Sequence, residues 1–246
     1  MRLEVYQTDG EVYEAAAACV AERLVAAARD GRASIAVSGG RGGHALLVAL
    51  AARSEIPWGA VDVFCAEEVC PPAGATHRTL YIAHESLLSP RAVAAERVHP
   101  IDVEGGEPGA VATAYEADLV RVLGVPPVLD VVLVELGPAG EVAGVMPESD
   151  AATSARAVAV TPAALVGTEP RADRITLTAT ALAAARHVVV TVTGSGRGAV
   201  LAAALREPPD PRRRPAQAVL PSARATWFVD RAAAEPLLRD ARPADQ

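Results

Sequence analysis

The chain contains no lysine: all 23 of its basic residues are arginine. Without a lysine amine no Schiff base can form, which excludes internal-aldimine pyridoxal phosphate chemistry and lysine-dependent aldolase chemistry. Aromatic residues make up only 3% of the chain against 51% hydrophobic residues, so the core has to be built from Ala, Val and Leu. The three cysteines, Cys19, Cys65 and Cys70, are an odd number without ligand-like pairing, and Cys65-x4-Cys70 lacks the second pair that a zinc site needs. They are expected to be reduced and mostly buried. His44, His77, His84, His99 and His187 show no metal-ligand spacing either, so neither a metal nor a cofactor is expected. No stretch of about 18 apolar residues and no basic, apolar, small-residue leader occurs, which predicts a cytoplasmic protein with no membrane partner. Positive charge is scarce as well. A formal net charge of -7 disfavours nucleic acid as a partner, and the one basic run, Arg212-Arg213-Arg214, sits between prolines and reads as a solvated loop.

What the chain has is alternation. Apolar residues at helical spacing over Glu11 to Ala28, closed by Asp30-Gly31, predict an amphipathic helix. A short strand is expected at Ser34 to Val37, followed by a glycine-rich loop over 38–43 and a helix from His44 to about Arg53. Further strands are expected at Val61 to Phe64, Val131 to Leu136 and His187 to Thr193, with helices around Leu80 to Leu88 and Val111 to Leu123. Strands alternating with helices argue for an α/β fold with a doubly wound, mainly parallel sheet. No repeat or linker divides residues 1–246, so one domain is expected, with a surface loop at 207–215 and a tail frayed from about residue 238.

In such sheets a ligand sits beyond the carboxyl ends of the strands. The loop 38–43, the segment Cys65 to Cys70, the loop 137–148 and the turn 194–198 each follow a predicted strand and should line one cleft. Ser38, Gly39 and Gly40, leading through Arg41 into a helix, suit an anion cradle, though a plain strand-to-helix turn is an equal reading. Ser38 lacks a nucleophile-elbow setting, so a serine-hydrolase triad is not supported. Gly194-Ser195-Gly196-Arg197-Gly198-Ala199 fits a Gly-x-Gly-x-x-Ala turn, but the next helix runs into Pro208-Pro209-Asp210-Pro211 where a dinucleotide site wants a second strand ending in an acid. A single phosphate or carboxylate held by Arg197 fits better. Glu67, Glu68, Glu135 and Glu141 fall at or just after strand ends, with Arg41, Arg78, Arg174 and Arg197 on neighbouring segments. Two carboxylates in different environments can divide acid and base roles, whereas surface ion pairing is the bland alternative.

Residues 130–149, Asp-Val-Val-Leu-Val-Glu-Leu-Gly-Pro-Ala-Gly-Glu-Val-Ala-Gly-Val-Met-Pro-Glu-Ser, resemble the loop of the 6-phosphogluconolactonase family that reads roughly Leu-Gly-x-Gly-x-Asp-Gly-His-x-Ala-Ser-Leu-Phe-Pro. Ser38-Gly39-Gly40, the strand at Val61 to Phe64, Arg174-Ile175-Thr176-Leu177-Thr178, the Gly194 to Arg197 turn and Trp227-Phe228-Val229-Asp230-Arg231 follow the same family in the same order. The resemblance implies a 6-phosphogluconolactonase-like fold, shared with glucosamine-6-phosphate isomerases, and a sugar or sugar-phosphate-like small molecule as partner. It also places Ala139 at the family's Asp, Glu141 at its His, Ala66 at a further Asp, Glu68 at an Arg, and Arg78-Thr79 at a Ser-Asn pair. The exchanged positions are polar ones while the apolar frame is kept, which predicts a repurposed site. Glu141, with Glu67 and Glu135 as the other acid candidates, is the expected general base for opening a lactone or related ring bond. Arg174, Arg197 and Arg78 are expected to hold the ligand, with Arg41 near developing charge and the backbone at Gly137 beside it. Glu68 is expected to be structural. A catalytically silent sugar-phosphate-binding protein or partner subunit, and an isomerase or glycosidic-bond-cleaving enzyme on the same fold, are the alternatives.

Overall fold

The computed structural model describes residues 1–71, 74–104, 106–167, 169–219 and 224–240. A strand β1 (Arg2–Tyr6) leads to Thr8, which begins α1 (Asp9–Ala28) with a capping box: its hydroxyl accepts from the Glu11 amide and the Glu11 carboxylate accepts from the Thr8 amide. The chain continues through β2 (Ala33–Val37), α2 (Gly40–Ala51), β3 (Val61–Cys65), β4 (Glu67–Val69), α3 (Thr79–Ala83), β5 (Val98–His99) and α4 (Pro108–Leu123). The second half contributes β6 (Val131–Glu135), β7 (Val158–Thr161), β8 (Arg174–Leu177), α5 (Ala179–Ala184), β9 (His187–Val192), α6 (Gly198–Arg206), α7 (Ala216–Val219), β10 (Ala225–Asp230) and α8 (Arg231–Asp240).

Seven strands form one parallel sheet in the order β1-β10-β9-β6-β2-β3-β5. Its central strands are mostly apolar on both faces because helices cover both, and the two-residue alternation sorts each of them between two cores. Ile35, Val37, Val131 and Leu133 pack with Leu24 of α1 and Leu50 of α2 on one side. Ala36, Phe64, Val132 and Val134 pack with Leu119 of α4 and Leu201 of α6 on the other. The doubly wound α/β architecture is therefore as the sequence predicts. The chain leaves β2 toward β3 and leaves β6 toward β9, so the winding reverses between the adjacent strands β2 and β6. Their carboxyl ends, at Val37 and Glu135, flank the crevice where open α/β sheets bind ligands.

Three expectations need correction. The segment Cys65 to Cys70 is not only a loop: Glu67–Val69 forms β4, an edge of a separate antiparallel sheet in the order β4-β8-β7. The helix expected from His44 begins at Gly40, so most of the glycine-rich loop is its first turn. The helix expected around Leu80 to Leu88 is present, as α3 continued by a wider helical turn at His84–Leu88 in which the Ser89 amide reaches back five residues to the His84 carbonyl. The tail is helical through Asp240, while residues 241–246 lie outside the described residues. Among the described residues no helix is long and apolar enough to cross a membrane.

Candidate active site

The second sheet matters because it raises one wall of the cleft. Successive residues of a strand face opposite sides, so in β4 Glu67 looks into the cleft while Glu68 turns inward. Glu68 is 1% exposed. Its carboxylate accepts from the amides of Val69 at 2.9 Å, Thr79 at 2.8 Å and Leu80 at 2.9 Å, satisfying the open N-terminus of α3. Burial nonetheless pushes its carboxyl above the usual range, opposed by those three amides. Glu68 thus fastens β4 to α3, a structural role. Glu67 lies diagonally across from Arg174 in the β4–β8 pairing, where Val69 faces Arg174 and Glu67 faces Thr176, and the two side chains form an ion pair at 3.0 Å.

The loop after β6 brings in the third acid. The Gly140 amide donates to the Gly137 carbonyl at 3.1 Å, closing a turn with Pro138 at its second position, and the Gly137 amide donates to the Glu141 carbonyl at 2.9 Å. This folds Glu141 back over the start of the loop. Its carboxylate accepts from the Ala139 amide at 2.7 Å. A Cβ on Gly137 would fall 2.0 Å from the Glu141 carboxylate, so glycine at 137 is what lets the acid lie there. Glu141 is 7% exposed, and burial raises its carboxyl above the ordinary value, partly offset by its own amide and that of Ala139. Nearby Glu67 raises it further and Arg174 lowers it.

Together these elements enclose a cleft of about 680 Å³ lined from β2 and α2 by Ser38, Gly39, Gly40 and Arg41, and from the second sheet by Glu67 and Arg174. Glu135, Gly137 and Glu141 come from the β6 loop and Arg197 from the turn before α6. The four loops expected to converge do so. His77 also lines the cleft, as do His44, Thr76, Ile82, Met146 and Glu169, which the sequence does not single out. Arg78, expected to hold the ligand, does not line the cleft: it stands at the N-cap of α3 and its guanidinium turns to Glu104 at 2.5 Å. Ser38 is buried at the wall, but its hydroxyl donates to the Leu133 carbonyl at 2.9 Å and so ties β2 to β6. The Arg212-Arg213-Arg214 loop lies elsewhere, with Arg212 paired to Glu148 at 3.0 Å and Arg214 to Glu207 at 2.7 Å.

The acids differ in their partners. Glu67 pairs with Arg174, Glu135 with Arg197 at 3.7 Å, and Glu169 with Arg171 at 3.7 Å. Glu141 alone of the cleft's carboxylates has no ion pair among the described residues. Burial also raises the Glu135 carboxyl, opposed by Arg197, Arg41 and the Gly42 amide. The buried thiols of Cys65 and Cys70 are pushed up by desolvation, Cys70 to about 11, which keeps both protonated and unreactive near neutrality. No group of three or more His, Cys, Asp or Glu side chains among the described residues is placed to hold a metal ion.

Residues 7–228 match the family described as glucosamine-6-phosphate isomerases/6-phosphogluconolactonase. The chain belongs to that family. It is 33% identical to a 6-phosphogluconolactonase of Streptomyces coelicolor over 98% of this chain and 97% of that one. It is 34% identical to a 6-phosphogluconolactonase of Mycobacterium tuberculosis over 93% of this chain and 96% of the relative. Among solved structures, the 6-phosphogluconolactonase from Trypanosoma cruzi superposes with a TM-score of 0.82 at 27% identity, covering 96% of both chains. A monomeric glucosamine-6-phosphate deaminase shares the fold at the same TM-score of 0.82 but 15% identity.

The raised carboxyl of Glu141 has a measurable consequence for this family member. A group whose folded pKa lies above its unfolded value favours the folded state fully below the unfolded pKa, and that contribution is lost as pH rises through the folded pKa. Glu141→Gln removes the titration. The melting temperature of the variant minus that of the wild type should therefore increase as pH is raised from about 5 to about 8, a window that starts just above the ordinary Glu pKa. A difference that stays flat in thermal melts across the window would place the Glu141 carboxyl at its ordinary value.

Proposed function

We propose that this chain is a hydrolase that opens a lactone, or a related ring carbon–heteroatom bond, in a sugar-derived small molecule, with Glu141 as general base. The observation that carries the reading is the isolation of Glu141: buried at the cleft wall beyond the switch point of the sheet, it has no cation paired to it among the described residues. A carboxylate kept from ion pairing and partly desolvated is a stronger base than one clamped by arginine. In lactone opening, Glu141 takes a proton from water as the water oxygen bonds to the carbonyl carbon. The ring carbon–oxygen bond then breaks, and the departing alkoxide recovers the proton from Glu141. The product is a hydroxy acid, whose ionisation releases one proton to solvent. Arg41 lines the same cleft with no ion pair among the described residues, so its charge is available to the developing oxyanion. Glu67 and Glu135, each paired with an arginine, position the walls.

Proton release from a panel of sugar 1,5-lactones, phosphorylated and unphosphorylated, tests the reading once spontaneous opening is subtracted. At least one lactone should open faster with the protein present. The rate should rise with pH along an acid limb displaced above the ordinary glutamate range, because the base must be ionised and burial raises its pKa. Absence of acceleration with every lactone tested would defeat it.

A further inference from the structure

The first turn of α2 has the makings of an anion site. Gly40 and Arg41 of that turn line the cleft together with Arg197, and the Gly42 amide reaches the carboxylate of Glu135 at the end of β6. Something already lies there. The Glu135 carboxylate packs onto Gly42 so closely that a Cβ at that position would fall 2.5 Å from Oε2, 2.6 Å from Cδ and 2.8 Å from Oε1. The same carboxylate is 3.7 Å from the Arg197 guanidinium; burial raises its carboxyl, and Arg197, Arg41 and the Gly42 amide oppose that rise in favour of the charged form. Helix terminus, two arginines and a close glycine are what a bound phosphate would use. Here they surround a side chain that enters from the end of β6.

The cleft's third arginine offers no replacement. Arg174 is engaged by Glu67 at 3.0 Å. Four glutamates, Glu67, Glu135, Glu141 and Glu169, line the cleft against three arginines, Arg41, Arg174 and Arg197. A phosphate dianion entering this space would meet carboxylates with one unpaired guanidinium to offset them, and like charges at short range oppose binding.

We propose that Glu135 is a built-in anion standing where a ligand phosphate would otherwise bind, so that the cleft takes an unphosphorylated sugar-derived ligand. The proposal rests on the same cleft as the hydrolytic reading but concerns what binds there, and it is tested by binding alone. Gluconate, 6-phosphogluconate and inorganic phosphate are titrated by calorimetry against the wild-type chain, Glu135→Gln and the double variant Glu135→Gln/Arg197→Gln. The wild type should bind gluconate at least as tightly as 6-phosphogluconate. Glu135→Gln, which keeps the shape and removes the charge, should tighten 6-phosphogluconate and phosphate by about tenfold or more. The double variant should lose that gain.

Wild-type preference for 6-phosphogluconate over gluconate by about tenfold would overturn the proposal, and that arm needs no variant to fold. A folded Glu135→Gln, verified by circular dichroism, that gains nothing for inorganic phosphate would overturn it too. The two readings fail separately. A chain that prefers gluconate yet opens no lactone refutes the hydrolytic reading only, whereas one that opens lactones but prefers the phosphorylated ligand refutes the built-in anion only.

Discussion

Glu141→Gln should lower kcat for ring opening by about 10²–10⁴-fold while leaving KM and the fold close to those of the wild type, a loss of roughly 3–5 kcal/mol of transition-state stabilisation. The amide keeps the size of the side chain, and its oxygen can still accept from the Ala139 amide, as the carboxylate does at 2.7 Å. What it cannot do is take a proton from water. Loss confined to kcat identifies an interaction made in the transition state, whereas a rise in KM at constant kcat would signal uniform binding. Glu67→Gln is the internal control. Glu67 raises the Glu141 carboxyl and holds Arg174, which lowers it, so removing the Glu67 charge should move the acid limb of the rate profile to lower pH without abolishing it. If Glu141→Gln keeps full activity and Glu67→Gln or Glu135→Gln does not, the base has been misassigned.

The layout of this site was largely legible in the sequence, for physical reasons that also set where the reading stopped. Parallel strands buried on both faces leave continuous apolar runs, such as Val131 to Leu136, and each loop that follows such a run exits at the same carboxyl end of the sheet. That rule brings Ser38, Glu67, Gly137, Glu141 and Arg197 to one cleft. The second sheet was not legible. Its strands are three or four residues long, and Glu67–Val69 and Val158–Thr161 are strands only because β8 pairs with both. The fate of individual arginines was equally hidden. Arg78 and Arg174 look alike in sequence, but Arg78 turns from the cleft to Glu104 while Arg174 meets Glu67 within it, and only tertiary placement separates them. Glu68 and Glu67 differ by one residue, and strand alternation alone sends one to cap α3 and the other to the cleft.

Two separate features lead to the second large effect. On the reading proposed for this site, Ala139 and Glu141 stand where 6-phosphogluconolactonases carry Asp and His, and general acid–base catalysis by such groups is commonly worth about 10²–10⁴-fold. A carboxylate in place of an imidazole can still act as a base, but Ala139 offers no side-chain acid to orient or tune it, and only its amide reaches Glu141. On the binding side, Glu135 sits against Gly42 and Arg197, where its charge opposes a phosphate group. Hydrolysis of 6-phosphogluconolactone is therefore expected to be at least about a hundredfold slower than in a family member that carries both the Asp and the His, assayed side by side with spontaneous opening subtracted. The two causes separate kinetically. Loss of the acid–base pair lowers kcat, whereas repulsion of the phosphate by Glu135 raises KM, so Glu135→Gln should recover KM for the phosphorylated lactone and leave the deficit in kcat. Turnover of 6-phosphogluconolactone equal to that of the family member would overturn this expectation.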